Sequence, residues 1–121
     1  MKKSIKKDKS FAFAIGIVNL YEFQIEKNKE YVLSKQLLRS GTSTGANIRE
    51  TLNGKSSKDF VNKLAIAQKE CDDTLYWLAL SLATNYLTRK WHNSISEDAI
   101  ELLKIITKSI LTVKAKQEVK C

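Results

Sequence analysis

The sequence predicts an all-α protein, an up-down-up-down antiparallel four-helix bundle. The 121 residues include no proline and only four glycines, whereas loop-rich and β-rich chains use both residues to make turns. Four long stretches place apolar residues at intervals of three and four, which is the period of an amphipathic α-helix. Because the connections between these stretches are short, consecutive helices are expected to pack antiparallel around one core.

Helix one is predicted over residues 10–27. Phe11, Ile15, Val18 and Ile25 form one apolar line, and further apolar residues widen that line around much of the helix. A helix that is apolar around most of its circumference is either central or has two partners. Helix one is therefore a first indication of oligomerisation.

Helix two is predicted over residues 30–53 and contains an unusual run, residues 40–45, made only of serine, threonine and glycine. Each of these residue types weakens an isolated helix, yet apolar residues flank the run at helical spacing. If the helix continues through the run, tertiary packing must hold it there. Gly41 and Gly45 are the predicted helix-packing residues, since they let another helix backbone approach closely. Gly54 suits a left-handed C-terminal cap.

Helices three and four follow from their stripes and caps. Helix three is expected to begin at Ser56 or Ser57 and to end near Lys90, with residues 91–93 as the connection. Ser94 and Glu97 then resemble a capping box that starts helix four, which is expected to fray from residue 114. The helix three stripe is Phe60, Leu64, Ala67, Cys71, Leu75, Leu78 and Leu82, and the helix four stripe is Ile95, Ala99, Leu102, Ile106, Ile110 and Val113.

The net charge of +8 is concentrated at the ends of the chain. Residues 1–9 carry a net charge of +4 and residues 108–121 carry +3, so the remainder is nearly neutral. We divide the chain into a basic N-terminal tail (1–9), a bundle domain (10–113) and a basic C-terminal tail (114–121). Four antiparallel helices place both termini at one pole. Such a basic pole favours a polyanion such as nucleic acid, although lysine-rich tails can also serve only for solubility.

No catalytic, metal or cofactor site is predicted. His92 is the sole histidine, which excludes di-iron bundles built on Glu-x-x-His pairs and leaves too few ligands for a zinc site. Cys71 lies on an apolar stripe and is expected to be a small buried hydrophobe, while Cys121 ends the chain. Two such cysteines suit a reducing, cytoplasmic compartment. No stretch approaches the roughly 20 apolar residues of a membrane span, and the N-terminal apolar run lacks a signal-peptide cleavage site.

Three further side chains lead to specific expectations. Arg39 is expected to pair with an acidic residue of the segment 70–73 across the interface between helices two and three. Trp77 stands beside leucines of the helix three stripe, so core packing is favoured over base stacking. Trp91, next to Arg89 and Lys90, remains open to either role.

Three motifs in order resemble those of the bacterial four-helix bundle family, also called 23S rRNA intervening-sequence proteins. The motifs are LRSGTSTGANI at 38–48, SKDFVNKLAIAQKE at 57–70 and TLYWL at 74–78. The resemblance extends over about residues 10–115. This chain departs locally at Thr44, where an aliphatic residue is usual, at Arg49, where a small or acidic residue is commoner, and at Asp73, where glutamate is usual.

The resemblance implies an up-down bundle that assembles as a ring-like homopentamer, with no established enzymatic activity. It also implies a relation to the accessory protein of diversity-generating retroelements, a pentameric bundle with a basic surface that binds nucleic acid and a reverse transcriptase. A homo-oligomer would suit both the wide apolar surface of helix one and the small residues of helix two.

Two hypotheses for function follow. The first is a non-enzymatic oligomeric bundle that binds RNA or DNA through its basic pole. Its phosphate-contacting residues would be Lys2, Lys3, Lys6, Lys7, Lys9, Lys114, Lys116 and Lys120. The alternative is a protein-interaction scaffold or accessory subunit without direct nucleic-acid contact, whose tails only solubilise it.

Overall fold

The computed structural model describes residues 5–52 and 56–119 and contains four helices there. They are α1 (Ile5–Lys27), α2 (Val32–Thr51), α3 (Ser57–Ala83) and α4 (Arg89–Val119). Each helix packs against its neighbours in sequence, and α1 also packs against α4, while the diagonal pairs make no close backbone contact within these residues. The all-α four-helix bundle predicted from the sequence is therefore confirmed.

The core consists of residues from one face of each helix. The apolar stripes predicted on α3 and α4 face it, and Trp77 and Trp91 pack against its edge. The ring of Trp91 meets that of Phe23 edge-on, with centroids 4.9 Å apart, so both tryptophans contribute to packing. The buried apolar side chains are Phe13, Ile17, Leu20, Leu37, Ile48, Leu64, Ala67, Cys71, Leu78, Leu87, Ile95, Ala99, Leu102, Ile106 and Ile110.

Helix α2 continues without a break through the serine, threonine and glycine run. A Cβ added at Gly41 would lie 2.7 Å from Cγ1 of Ile17 on α1, so the missing side chain is what allows α1 to approach. On the α3 side, the hydroxyl of Thr74 donates to the hydroxyl of Ser40 at 2.8 Å. Packing against α1 and a buried hydrogen bond to α3 thus hold a sequence of low helix propensity in a helix.

The connection between α3 and α4 lies earlier than the sequence pattern indicates. Asn85 has a φ of 68°, and the N–H groups of Asn85 and Tyr86 donate to the carbonyls of Leu82 and Ser81. These bonds form a Schellman C-cap. The predicted connection at residues 91–93 is wrong, because the true connection is 84–88.

The predicted start of helix four at Ser94 is also wrong. Thr88 precedes the helix, and its hydroxyl accepts from the N–H of Trp91 at 3.2 Å, as an N-cap side chain does. The pattern from Ser94 to Glu97 occurs inside α4, where the backbone N–H groups already have helical partners. His92 is likewise a residue of the first turns of α4.

Other helix limits shift as well. Helix α1 begins at Ile5 and α4 runs to Val119, so both extend into the segments expected to be tails. Ser56 caps α3 by accepting from the N–H of Asp59 at 3.1 Å, as expected. The predicted cap at Gly54 lies outside the described residues.

Candidate nucleic-acid interface at the basic pole

The start of α1 and the end of α4 lie together at one end of the bundle, which we call the basic pole (residues 5–10 and 108–118). The ammonium of Lys6 donates to the hydroxyl of Ser109 at 3.3 Å and lies 5.4 Å from the ring centroid of Phe60 on α3. Lys9 forms an ion pair with Glu101. These contacts join the first turns of α1 to α4 and α3 and place the basic segments 5–9 and 108–118 side by side.

The structure divides the predicted phosphate-binding lysines into three groups. Lys6 and Lys9 are engaged with α4, as described above. Lys114 and Lys116 lie on the exposed last turns of α4, and Lys7 is exposed near the start of α1. Lys2, Lys3 and Lys120 lie outside the described residues.

The ion pair at the pole is weakly held. The side chains of Lys9 and Glu101 keep 47% and 54% of their accessible surface, so water screens their attraction, and such exposed pairs are worth about 0–1 kcal/mol. A phosphate could therefore compete with Glu101 for Lys9 at little cost.

A groove beside the pole was not foreseen from the sequence. It has a volume of about 580 Å³ and lies between α1 and α2. Phe11 and Ile15 line it and remain 66% and 48% exposed. The wide apolar surface of α1 is thus divided, because Phe13, Ile17 and Leu20 face the core while Phe11 and Ile15 face outward. The lining residues are Lys7, Asp8, Ser10, Phe11, Ala12, Ala14, Ile15, Thr42, Gly45, Ala46 and Arg49.

Polar side chains join α2 to α3. Arg39 donates to the buried carboxylate of Glu70 at 2.9 Å, which confirms the pairing expected from the sequence. Lys69 lies 3.6 Å from the other carboxylate oxygen of Glu70. The carboxylate is thus charge-compensated where α2 and α3 meet.

The side chains of Cys71 and His92 each contact residues of α4. Burial, together with the nearby charge of Asp72, raises the pKa of the Cys71 thiol to about 12, and its Sγ lies 3.3 Å from the carbonyl oxygen of Ala99. His92 contacts Asn93 and Ser96. Within residues 5–52 and 56–119, no cluster of three His, Cys, Asp or Glu side chains could hold a metal ion.

In the part of the chain that the structure describes, none of the four helices is long and apolar enough to cross a bilayer.

The fold and the pole define an antiparallel four-helix bundle protein with a basic end and an apolar side groove. Residues 2–108 match the family of the 23S rRNA-intervening sequence protein, and the chain belongs to that family. A solved structure from Bacteroides thetaiotaomicron, described as a protein with unknown function from the S23 ribosomal protein family, is 52% identical to this chain. It superimposes with a TM-score of 0.87 over 88% of this chain and 98% of that chain. A search of curated proteins finds no match.

Proposed function

We propose that this protein is a non-enzymatic, cytoplasmic homo-oligomer that binds RNA or DNA through its basic pole. The observation that carries the proposal is the contact of Lys6 and Lys9 with α4, because it gathers two basic chain ends at one pole. The rest of the chain is nearly neutral, so the attraction for a polyanion is concentrated there.

The proposed contacts are made with phosphate groups. Lys114 and Lys116 are exposed on the last turns of α4 and would act together with the lysines at the very ends of the chain. Lysine presents a flexible point charge, so it holds the phosphate backbone without reading base edges. Binding would therefore depend strongly on salt and weakly on sequence.

Oligomerisation is the second part of the proposal. The exposed Phe11 and Ile15 of α1 lie beside one another in the α1–α2 groove, and contiguous exposed apolar surface is typical of an interaction site. In a ring with aligned poles, a pentamer by family resemblance, the basic poles of all copies would form one surface. Several weak phosphate contacts would then act together on one nucleic acid.

The test is a titration of a structured RNA hairpin with the full chain over a salt series. We expect log affinity to fall linearly with log salt. The variant Lys114→Gln/Lys116→Gln should bind less tightly, with a salt slope smaller by about one for each phosphate that a copy no longer neutralises. The matched control, Lys35→Gln/Lys90→Gln, removes two exposed lysines at the other end of the bundle and should bind as the wild type does.

Substitution is preferable to truncation here, since residues 5–9 belong to α1 and hold α4. Equal binding by the pole variant and its control would refute the basic-pole proposal. Absence of binding at low salt would favour the alternative, a protein-interaction scaffold, for which the exposed side chains of Phe11 and Ile15 are the supporting observation.

A further inference from the structure

Besides the α1–α2 groove, the bundle has an exposed apolar strip on α4, on the side away from that groove. Ile100 and Leu111 are 43% and 62% exposed. They stand seven residues before and four after Thr107, positions that share one face of a helix. Thr107 accepts a hydrogen bond at 3.0 Å from Gln68 on α3. The α4 strip, defined as Ile100, Lys104 and Leu111, therefore lies along the α3–α4 edge.

The groove and the α4 strip lie at the same height along the bundle axis. Glu101 pairs with Lys9, and Ser109 accepts from Lys6, so α4 residues 101–109 lie beside the first turns of α1. The groove begins at Lys7, so along the bundle axis its level is within about one helical turn of the level of the α4 strip. A rotation axis parallel to the bundle would bring these two surfaces together at one level.

One pair of opposite charges falls at matching positions on the two surfaces. Asp8 lies on the groove, whose lining also includes Lys7 and Arg49, and Lys104 lies between the two apolar residues of the α4 strip. Both side chains are exposed, and neither forms an ion pair within residues 5–52 and 56–119. Lys104 falls between Glu101 and Ser109, so its level is that of residues 6–9 of α1 and hence of Asp8.

We infer that the α1–α2 groove of one copy receives the α4 strip of a second copy, with Asp8 facing Lys104. The inference rests on the homo-oligomer of the proposed function and specifies the surfaces that form it. Because the groove and the α4 strip lie on opposite edges of the bundle, the strip of one copy cannot reach the groove of that same copy. The contact is heterologous, so each copy offers one groove and one strip, as ring formation requires.

Charge reversal tests the contact directly. Asp8→Lys and Lys104→Glu should each weaken association by about tenfold or more, because like charges would then face each other. The double variant should restore association to within about threefold of the wild type. Glu26→Lys and Lys90→Glu make the same charge changes on α1 and α4 away from both surfaces and should leave association unchanged. Sedimentation velocity over a dilution series measures the association, and circular dichroism verifies that each variant is folded.

Cross-linking gives a second readout that does not depend on charge. Ala14→Cys in the groove and Ile100→Cys in the strip are made separately, each in a Cys121→Ser background. Mild oxidation of the mixed proteins should give a disulfide-linked dimer containing one copy of each. Neither variant should cross-link to itself.

Three results would overturn the inference. A wild type that stays monomeric at high concentration would mean that the groove binds something other than a second copy. Unchanged association in both single reversals, without rescue in the double variant, would place the interface elsewhere. Ala14→Cys cross-linking to itself would indicate groove-to-groove pairing. All of these measurements use nuclease-treated protein without RNA, so failure of nucleic-acid binding leaves their outcome untouched.

Discussion

Replacement of Gly41 by alanine gives a sharp test of how α1 and α2 pack. The new Cβ would lie 2.7 Å from Cγ1 and 2.9 Å from Cγ2 of Ile17, distances at which something must move. Ile17 is fully buried and β-branched, so its side chain has little freedom to rotate away. The two helices must therefore separate locally.

The magnitude follows from two opposing effects. Overpacking a filled core costs about 1–3 kcal/mol, whereas alanine in place of glycine inside a helix gains about 1 kcal/mol. Gly41→Ala should thus lower the free energy of unfolding by up to about 2 kcal/mol. Gly16→Ala on α1 provides the matched control, since an added Cβ there meets nothing within 4 Å. That variant should be more stable than the wild type by about 0.5–1 kcal/mol.

The assay is urea unfolding followed by circular dichroism at one fixed protein concentration, because oligomerisation would make stability depend on concentration. The difference between the two glycine variants should be about 1–3 kcal/mol, since helix propensity cancels between them. If Gly41→Ala were as stabilising as Gly16→Ala, the close approach of α1 to α2 would be refuted.

Three other perturbations test the remaining contacts. Glu30→Ala should destabilise the protein by about 1–2 kcal/mol in urea unfolding, because the carboxylate of Glu30 accepts hydrogen bonds from three N–H groups in the first turn of α2. Unchanged stability would mean that water replaces the carboxylate as the acceptor. Arg39→Ala should lower the free energy of unfolding by about 1–2 kcal/mol, because it leaves the buried carboxylate of Glu70 poorly paired. Glu70→Gln should then cause a smaller loss of stability in the Arg39→Ala variant than in the wild type. Additive losses would show that the two residues act independently. In a Cys121→Ser variant, a thiol reagent at pH 8 should not label the folded protein, because burial and a pKa of about 12 keep the Cys71 thiol inaccessible and protonated. The same reagent should label Cys71 in denaturant. Rapid labelling without denaturant would reveal that α3 opens from α4.

Helix limits were the least predictable part of the fold. Helix three is expected to continue to about Lys90, but the left-handed conformation of Asn85 and two backbone hydrogen bonds end it at Ala83. The pattern at Ser94–Glu97 has the composition of a cap and nevertheless occurs inside α4. A cap depends on backbone geometry, so the same residue types can appear within a helix without capping it.

The candidate site was predictable in its charges and not in its contacts. Counting residues located the basic ends, and the antiparallel topology placed them together. The sequence did not indicate that Lys6 and Lys9 would be held by α4, because those partners lie about 100 residues away in the chain. Nor did it indicate which part of the wide apolar surface of α1 would line a groove, since apolar residues cover much of the circumference of that helix.

The sequence alone determined the fold class, the stripes of α3 and α4 and the pairing of Arg39 with an acidic residue of the segment 70–73. These features follow from residue periodicity and from charges on adjoining helices, which are local properties. The tertiary structure decided the helical state of the serine, threonine and glycine run and the outward orientation of Phe11 and Ile15. The helix propensity of serine, threonine and glycine opposes the first feature, and the apolar pattern of α1 does not distinguish an inward from an outward orientation for the second. Only the free energy of packing four helices together could therefore determine them.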